Sequence, residues 1–135
     1  MIDHTGVTVS NFAISREWYE RALAPIGYAR LMEFSKEITG TVAVAGYGEA
    51  ATKKPDFWVS EATIERPVRL PPSHIAFRAN SKEAVDSFYK AALAAGGNDN
   101  GAPGPRPHYH ANYYGAFVLD PDGNNIEAVF HEYGK

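Results

Sequence analysis

The sequence predicts an α+β fold made of two similar halves. Two observations carry this prediction. Residues 4–27 align without a gap on residues 74–97, an offset of 70, with six identities. Each copy then follows the same plan: a strand of alternating polarity, a helix with 3.6-residue spacing, and further strands. A third observation marks the boundary between the copies. The segment Arg66-Pro67-Val68-Arg69-Leu70-Pro71-Pro72 is too rich in proline for a helix or a central strand, so it reads as a connector. One domain over residues 1–135 follows, with module one at about 1–68 and module two at about 72–135.

The elements follow in order. Asp3 to Ser10 alternates, with Thr5, Val7 and Val9 on one face and His4, Gly6 and Thr8 on the other. Ile14, Trp18, Tyr19, Ala22 and Leu23 keep helical spacing, and Gly27 stops the helix. Strands are expected at Tyr28–Phe34, Thr39–Tyr47 and Asp56–Ser60. In the second copy Ser73 to Ala79 alternates, with Ile75 and Phe77 opposite His74 and Ala76. Asn80 and Glu83 have the spacing of a capping pair before a helix through Val85, Phe88, Tyr89, Ala92 and Leu93. The Gly96-Gly97 pair ends that helix. Strands follow at Asn112–Leu119 and Asn125–Phe130, with a short irregular one near Gly97–Gly101.

Composition narrows the function. Hydrophobic residues make up 44% and charged residues 21%, a globular balance. Net charge is −3 with no basic block, which argues against nucleic acid as a partner. No cysteine is present, so thiolate metal sites and cysteine nucleophiles are excluded. The N-terminus lacks an apolar signal core, and no apolar run is long enough to span a membrane. A soluble, cytoplasmic protein is expected.

One residue breaks the strand pattern. Glu127 sits in the middle of Asn125-Ile126-Glu127-Ala128-Val129-Phe130. A buried carboxylate needs a partner, either a base or a metal. In both first strands a histidine is followed at i+2 by a small residue, Gly6 or Ala76, which leaves room beside the imidazole. A second cluster is Arg106-Pro107-His108-Tyr109-His110-Ala111-Asn112-Tyr113-Tyr114, after a loop rich in Gly, Pro and Asn. Histidines and tyrosines at such density suit proton transfer or hydrogen bonding to a substrate oxygen, and equally suit an aromatic loop packed on the sheet or across a dimer interface. Strand parity does not decide which tyrosine points inward.

With these residues in view, the chain resembles the vicinal oxygen chelate superfamily of glyoxalase I, extradiol dioxygenases, fosfomycin-resistance and bleomycin-resistance proteins. The resemblance rests on Ile2-Asp3-His4-Thr5-Gly6-Val7-Thr8-Val9, Trp18-Tyr19-Glu20, Ser73-His74-Ile75-Ala76-Phe77 and above all Phe117-Val118-Leu119-Asp120-Pro121-Asp122-Gly123-Asn124-Asn125-Ile126-Glu127. It implies two βαβββ modules forming a cupped mixed sheet, the glyoxalase-like fold. It also implies metal ligands on the first and last strands of each module. Three of those positions hold ligands: His4, His74 and Glu127. The fourth falls near Trp58, which binds no metal. Two histidines and one carboxylate suit iron, manganese or zinc with open positions. The resemblance therefore implies a metal-dependent glyoxalase/dioxygenase-type enzyme, a lyase, isomerase or dioxygenase acting on a small oxygen-rich substrate that chelates the metal. His110 and Tyr113 are the candidate catalytic residues, and Trp58, Arg106, His108 and Tyr114 the candidate substrate-binding ones. A homodimer is expected. The alternative is a metal-free small-molecule-binding protein of the bleomycin-resistance kind.

Overall fold

The computed structural model describes residues 1–132. The first half runs β1 (Thr5–Val9), α1 (Phe12–Leu23), a 3-10 turn (Ala24–Ile26), β2 (Tyr28–Phe34), a short α2 (Lys36–Thr39), β3 (Val44–Glu49) and β4 (Phe57–Glu61). The second half runs β5 (His74–Arg78), α3 (Lys82–Ala94), β6 (Asn98–Pro105), β7 (Tyr113–Leu119) and β8 (Asn125–His131). Each half makes its own four-stranded sheet, in the orders β1-β4-β3-β2 and β5-β8-β7-β6. The repeat seen at 4–27 and 74–97 is thus a repeat of topology. In each sheet the first strand pairs parallel with the last, and the other pairs are antiparallel.

Helix starts follow local hydrogen-bond supply. The Asn11 side chain accepts from the Ile14 N–H at 3.2 Å and caps α1. The α3 cap is Ser81, not Asn80 as the capping-pair spacing suggested. Its hydroxyl accepts from the Ala84 N–H at 3.1 Å, the orphan donor that a cap must satisfy. Gly27 and Gly96 then take positive φ, of 88° and 111°, and turn the chain out of each helical segment.

Two strands differ from expectation. The strand predicted from Thr39 begins only at Val44, because the Thr39 hydroxyl organises a turn. It accepts from the N–H groups of Thr41 and Val42, both at 3.1 Å, and donates to the Val42 carbonyl at 2.6 Å. Strand β6 is longer than expected despite its glycines and prolines. The ladder with β7 shifts register twice, between Asp99 and Gly101 and again between Gly101 and Gly104. The Arg106 guanidinium donates to the carbonyls of Ala102 at 2.7 Å and Gly104 at 2.9 Å, bracing the bulged stretch from the side.

One core joins the helix-facing sides of both sheets. Val7, Val9, Ala45, Tyr47, Phe57 and Val59 come from the first sheet, and Phe77, Ala116, Val118, Ile126 and Ala128 from the second. Trp18 donates its indole N–H to the Ala92 carbonyl at 3.1 Å and ties α1 to α3. Phe57 and Phe77 meet edge-on with centroids 5.1 Å apart, across the two sheets. The Asp-Pro-Asp-Gly-Asn segment works as a clasp. Asp120 is buried and accepts from Tyr19 Oη at 2.5 Å and from the N–H groups of Asp122 and Asn124. Asn124 in turn accepts from the Ser73 N–H at 2.8 Å, which sets the start of β5 beside the start of β8. No helix among the described residues is long and apolar enough to cross a membrane.

This packing directs the other face of each sheet away from the shared core. Strand alternation puts His74 and Glu127 on one such face and Trp58 on the other, with His4 just before β1.

Candidate metal and substrate site

Glu127 lies between the core residues Ile126 and Ala128 but points the opposite way. Its register neighbours are Ala76 on β5 and Phe117 on β7. It is only 3% exposed, because its neighbours close over it. His74 Nε2 lies 3.2 Å from one carboxylate oxygen, Oε1. Tyr113 donates its hydroxyl to the other, Oε2. Burial pushes the Glu127 carboxyl up to about 7, against a smaller downward pull from the Arg106 charge. The carboxylate is held in place and short of compensating positive charge.

His4 is oriented by a carboxylate of its own. Its Nδ1 lies 2.7 Å from Asp3 Oδ1, and Lys54 Nζ holds the second Asp3 oxygen at 3.2 Å. The hydrogen bond from His4, followed by contact with Lys54, holds the Asp3 carboxyl below its usual range. With the Nδ1 proton engaged by Asp3, Nε2 presents its lone pair outward, the tautomer a metal ligand needs.

The three expected ligands do not meet within one chain. His74 and Glu127 are brought together, and His4 stands apart on the other half. Among the described residues no three His, Asp or Glu side chains converge.

The aromatic cluster divides by strand parity. Tyr113 faces Glu127, whereas Tyr114, one residue on, turns to the helix side and donates to Asp86 on α3 at 2.7 Å. Tyr114, a substrate-binding candidate, thus links β7 to α3 through its hydroxyl. Arg106 uses three of its five N–H donors on the carbonyls of Ala102, Gly104 and Pro105, and its guanidinium carbon sits 5.5 Å from the Phe117 ring centre. It braces the strand and adds positive potential near Glu127. His108 is exposed and packs on Tyr109, whose ring meets Tyr113 edge-on at 4.9 Å. His110 reaches the site side: its Nε2 lies 3.0 Å from His131 Nδ1, and both rings pack edge-on against Tyr113. Burial, then the charges of His110 and Arg78, lower the His131 pKa. His131 was not foreseen. The signal was present, since it lies at i+4 from Glu127 in the same strand and shares its face, but the strand was expected to end at Phe130.

Trp58, a substrate-binding candidate, lines a groove of about 750 Å³ that His4 also lines. The donor set suits a divalent cation. His4 is pre-oriented by Asp3, His74 is half-exposed, and Glu127 is a buried carboxylate whose charge a cation would offset.

The sequence model of the Glyoxalase/Bleomycin resistance protein/Dioxygenase superfamily matches residues 1–128. Solved structures agree in architecture. A glyoxalase/bleomycin resistance protein from Albidiferax ferrireducens is 26% identical, with 96% of this chain and 97% of that chain covered and a TM-score of 0.75. A family enzyme from Burkholderia phytofirmans is 19% identical over 96% and 98%, with a TM-score of 0.67. A glyoxalase I mutant from Zea mays is 22% identical over 94% of this chain and 45% of its own, with a TM-score of 0.69. The last two show the fold alone. No curated protein matches the chain.

Proposed function

The chain belongs to the glyoxalase/bleomycin resistance protein/dioxygenase superfamily, and from that premise we propose that it is a metal-dependent enzyme acting on a small oxygen-rich substrate that chelates a divalent cation. The observation that carries this reading is Glu127: a buried carboxylate with its pKa raised to about 7 and a histidine at one oxygen. Such a group is costly unless something positive completes it. His74 and Glu127 would hold the cation, with His4 as the third ligand. His4 stands on the other half of the chain, so the proposal includes a homodimer in which a second copy supplies it. The open faces and the unpaired sheet edges at β1 and β5 are consistent with such a partner.

When bound, iron, manganese or zinc would polarise the substrate oxygens it binds. The remaining roles fall to this chain. Tyr113 Oη, whose one O–H points at the ligand carboxylate, would turn it to a substrate oxygen on the same face once a cation takes up the Glu127 charge. His110 is the proton carrier, and His131 orients it through their shared hydrogen bond. Trp58 forms the apolar wall.

The test is Glu127→Ala. The variant folds and loses metal uptake under the proposal. Metal bound at the wild-type level would remove Glu127 from the ligand set.

A second reading has its own observation. Tyr113 and His74 already contact both Glu127 oxygens without a cation. A metal-free binding protein would use this arrangement unchanged, and chelator would not affect its ligand affinity.

A further inference from the structure

The first sheet carries a built aromatic floor that no metal role explains. The indole of Trp58 lies across Gly46. A Cβ at Gly46 would stand 2.8 Å from two atoms of the far edge of that ring, so only glycine lets the indole lie down on the sheet. Phe34 and Val44 continue the apolar surface in the same groove. Phe34 is 37% exposed, and Met32 beside it on β2 is 41% exposed. A flat, solvent-facing indole with apolar flanks is a stacking surface for a planar ring.

Beyond Thr8, Ser60 and Arg66 the character changes. Those residues also line a second cavity of about 420 Å³, so the two spaces adjoin. The second adds the hydroxyls of Thr41 and Thr63 and the carboxylates of Glu61 and Glu65. Its charged lining is two carboxylates against the one guanidinium of Arg66. Acceptors outnumber cations here, so the cavity favours hydrogen-bond donors and opposes a second anion. Both volumes fall in the range of small-molecule sites, roughly 300–1,000 Å³.

We propose that this double groove binds the part of the ligand remote from the metal: an aryl ring lying on Trp58, carrying an arm rich in hydrogen-bond donors, either hydroxyl groups or an ammonium, that reaches Glu61 and Glu65. The inference deepens the enzyme reading, since His4 opens onto the same groove, but it requires no metal.

The chain has two tryptophans, so two indole N–H signals report the test. Trp18 is buried in the core and is the internal control. The wild-type protein is titrated, with chelator present, with phenethylamine, phenyl glucoside and phenylacetate. The Trp58 signal moves with phenethylamine or with phenyl glucoside, the tighter of the two naming the arm, while the Trp18 signal stays. Phenylacetate binds at least about tenfold more weakly than the tighter probe. Gly46→Ala, which lifts the indole, weakens that binding by about tenfold. Glu61→Gln with Glu65→Gln, both at the groove rim, removes the preference for the amine over phenylacetate. No Trp58 shift with any probe, equal affinity for all three, or an amine preference that survives the double variant would overturn the inference. The titration is repeated on Glu127→Ala. A protein that loads metal but never moves Trp58 keeps the enzyme reading and loses this one. A protein that moves Trp58 but never takes up metal does the reverse.

Discussion

His74 Nε2 stands 3.2 Å from Glu127 Oε1, although the two are not register partners: Ala76 faces Glu127, and His74 faces Asn125, two residues earlier on the same strand. The contact is diagonal across a parallel pair, on the face turned away from the core. A carboxylate and an imidazole in this relation form a ligand pair or a buried ion pair.

The first prediction concerns pH. The Glu127 carboxyl titrates at about 7 in the folded chain, against an ordinary value of 4.5. The folded state therefore binds more protons than the unfolded state between those values. Stability of the metal-free protein falls as pH rises through that window, then levels off. The loss is at most about 3.5 kcal/mol, at roughly 1.4 kcal/mol per pKa unit, and solvent near the half-exposed His74 reduces it. Urea melts at stepped pH measure it. Glu127→Gln flattens this part of the profile, and a divalent cation restores the lost stability above pH 7.

The second compares neighbouring tyrosines. Tyr113→Phe removes the hydroxyl on Glu127 Oε2, and Tyr114→Phe removes the one on Asp86. Each costs on the order of 1 kcal/mol of stability. Only Tyr113→Phe lowers turnover, by about a hundredfold, with metal content retained. Steady-state kinetics on a chelating substrate, with metal analysis of both variants, check the difference.

The third addresses the clasp. Asp120 accepts four hydrogen bonds, two from backbone and two from the side chains of Tyr19 and Asn124. Asp120→Ala strands those buried donors and destabilises the fold by about 3 kcal/mol or more. Equilibrium urea unfolding reads this. Asp122→Ala, which removes an exposed contact to the Ser10 N–H, costs well under about 1 kcal/mol by the same measure.

The fourth tests the shared site. His4→Ala and Glu127→Ala are each inactive alone. Mixed and allowed to exchange subunits, half the dimers carry one variant of each kind. Each such dimer has one site with an intact His4 from one copy and an intact Glu127 from the other. Activity returns to about a quarter of wild type. If the ligands met within one chain, mixing would restore nothing.

Much of this architecture was legible because period and punctuation agree. Val7, Val9, Ile75 and Phe77 alternate with the histidines, and the structure keeps that parity. Glu127 stood out as a charge inside an apolar strand, and it lies on the sheet face turned away from the core, beside His74. The errors lie where a side chain competes with the ladder. Thr39 closes a turn that alternation cannot reveal, and Arg106 lets a Gly- and Pro-rich stretch run as a strand. The choice between Tyr113 and Tyr114 required the β7–β8 register, which places Tyr113 opposite His131. The separation of His4 from Glu127 depends on which faces of the two halves pack together. That is a property of the shared core formed by α1, α3 and the strands, and no local pattern encodes it.

The metal site is tested most directly by the metal content of the untagged protein, by elemental analysis before and after equilibration with iron, manganese or zinc. About one divalent ion per chain is expected, lost in Glu127→Ala and in His74→Ala. A folded wild-type protein that carries no metal and takes up none would contradict it, and would leave His74 and Tyr113 as the permanent partners of a buried glutamate.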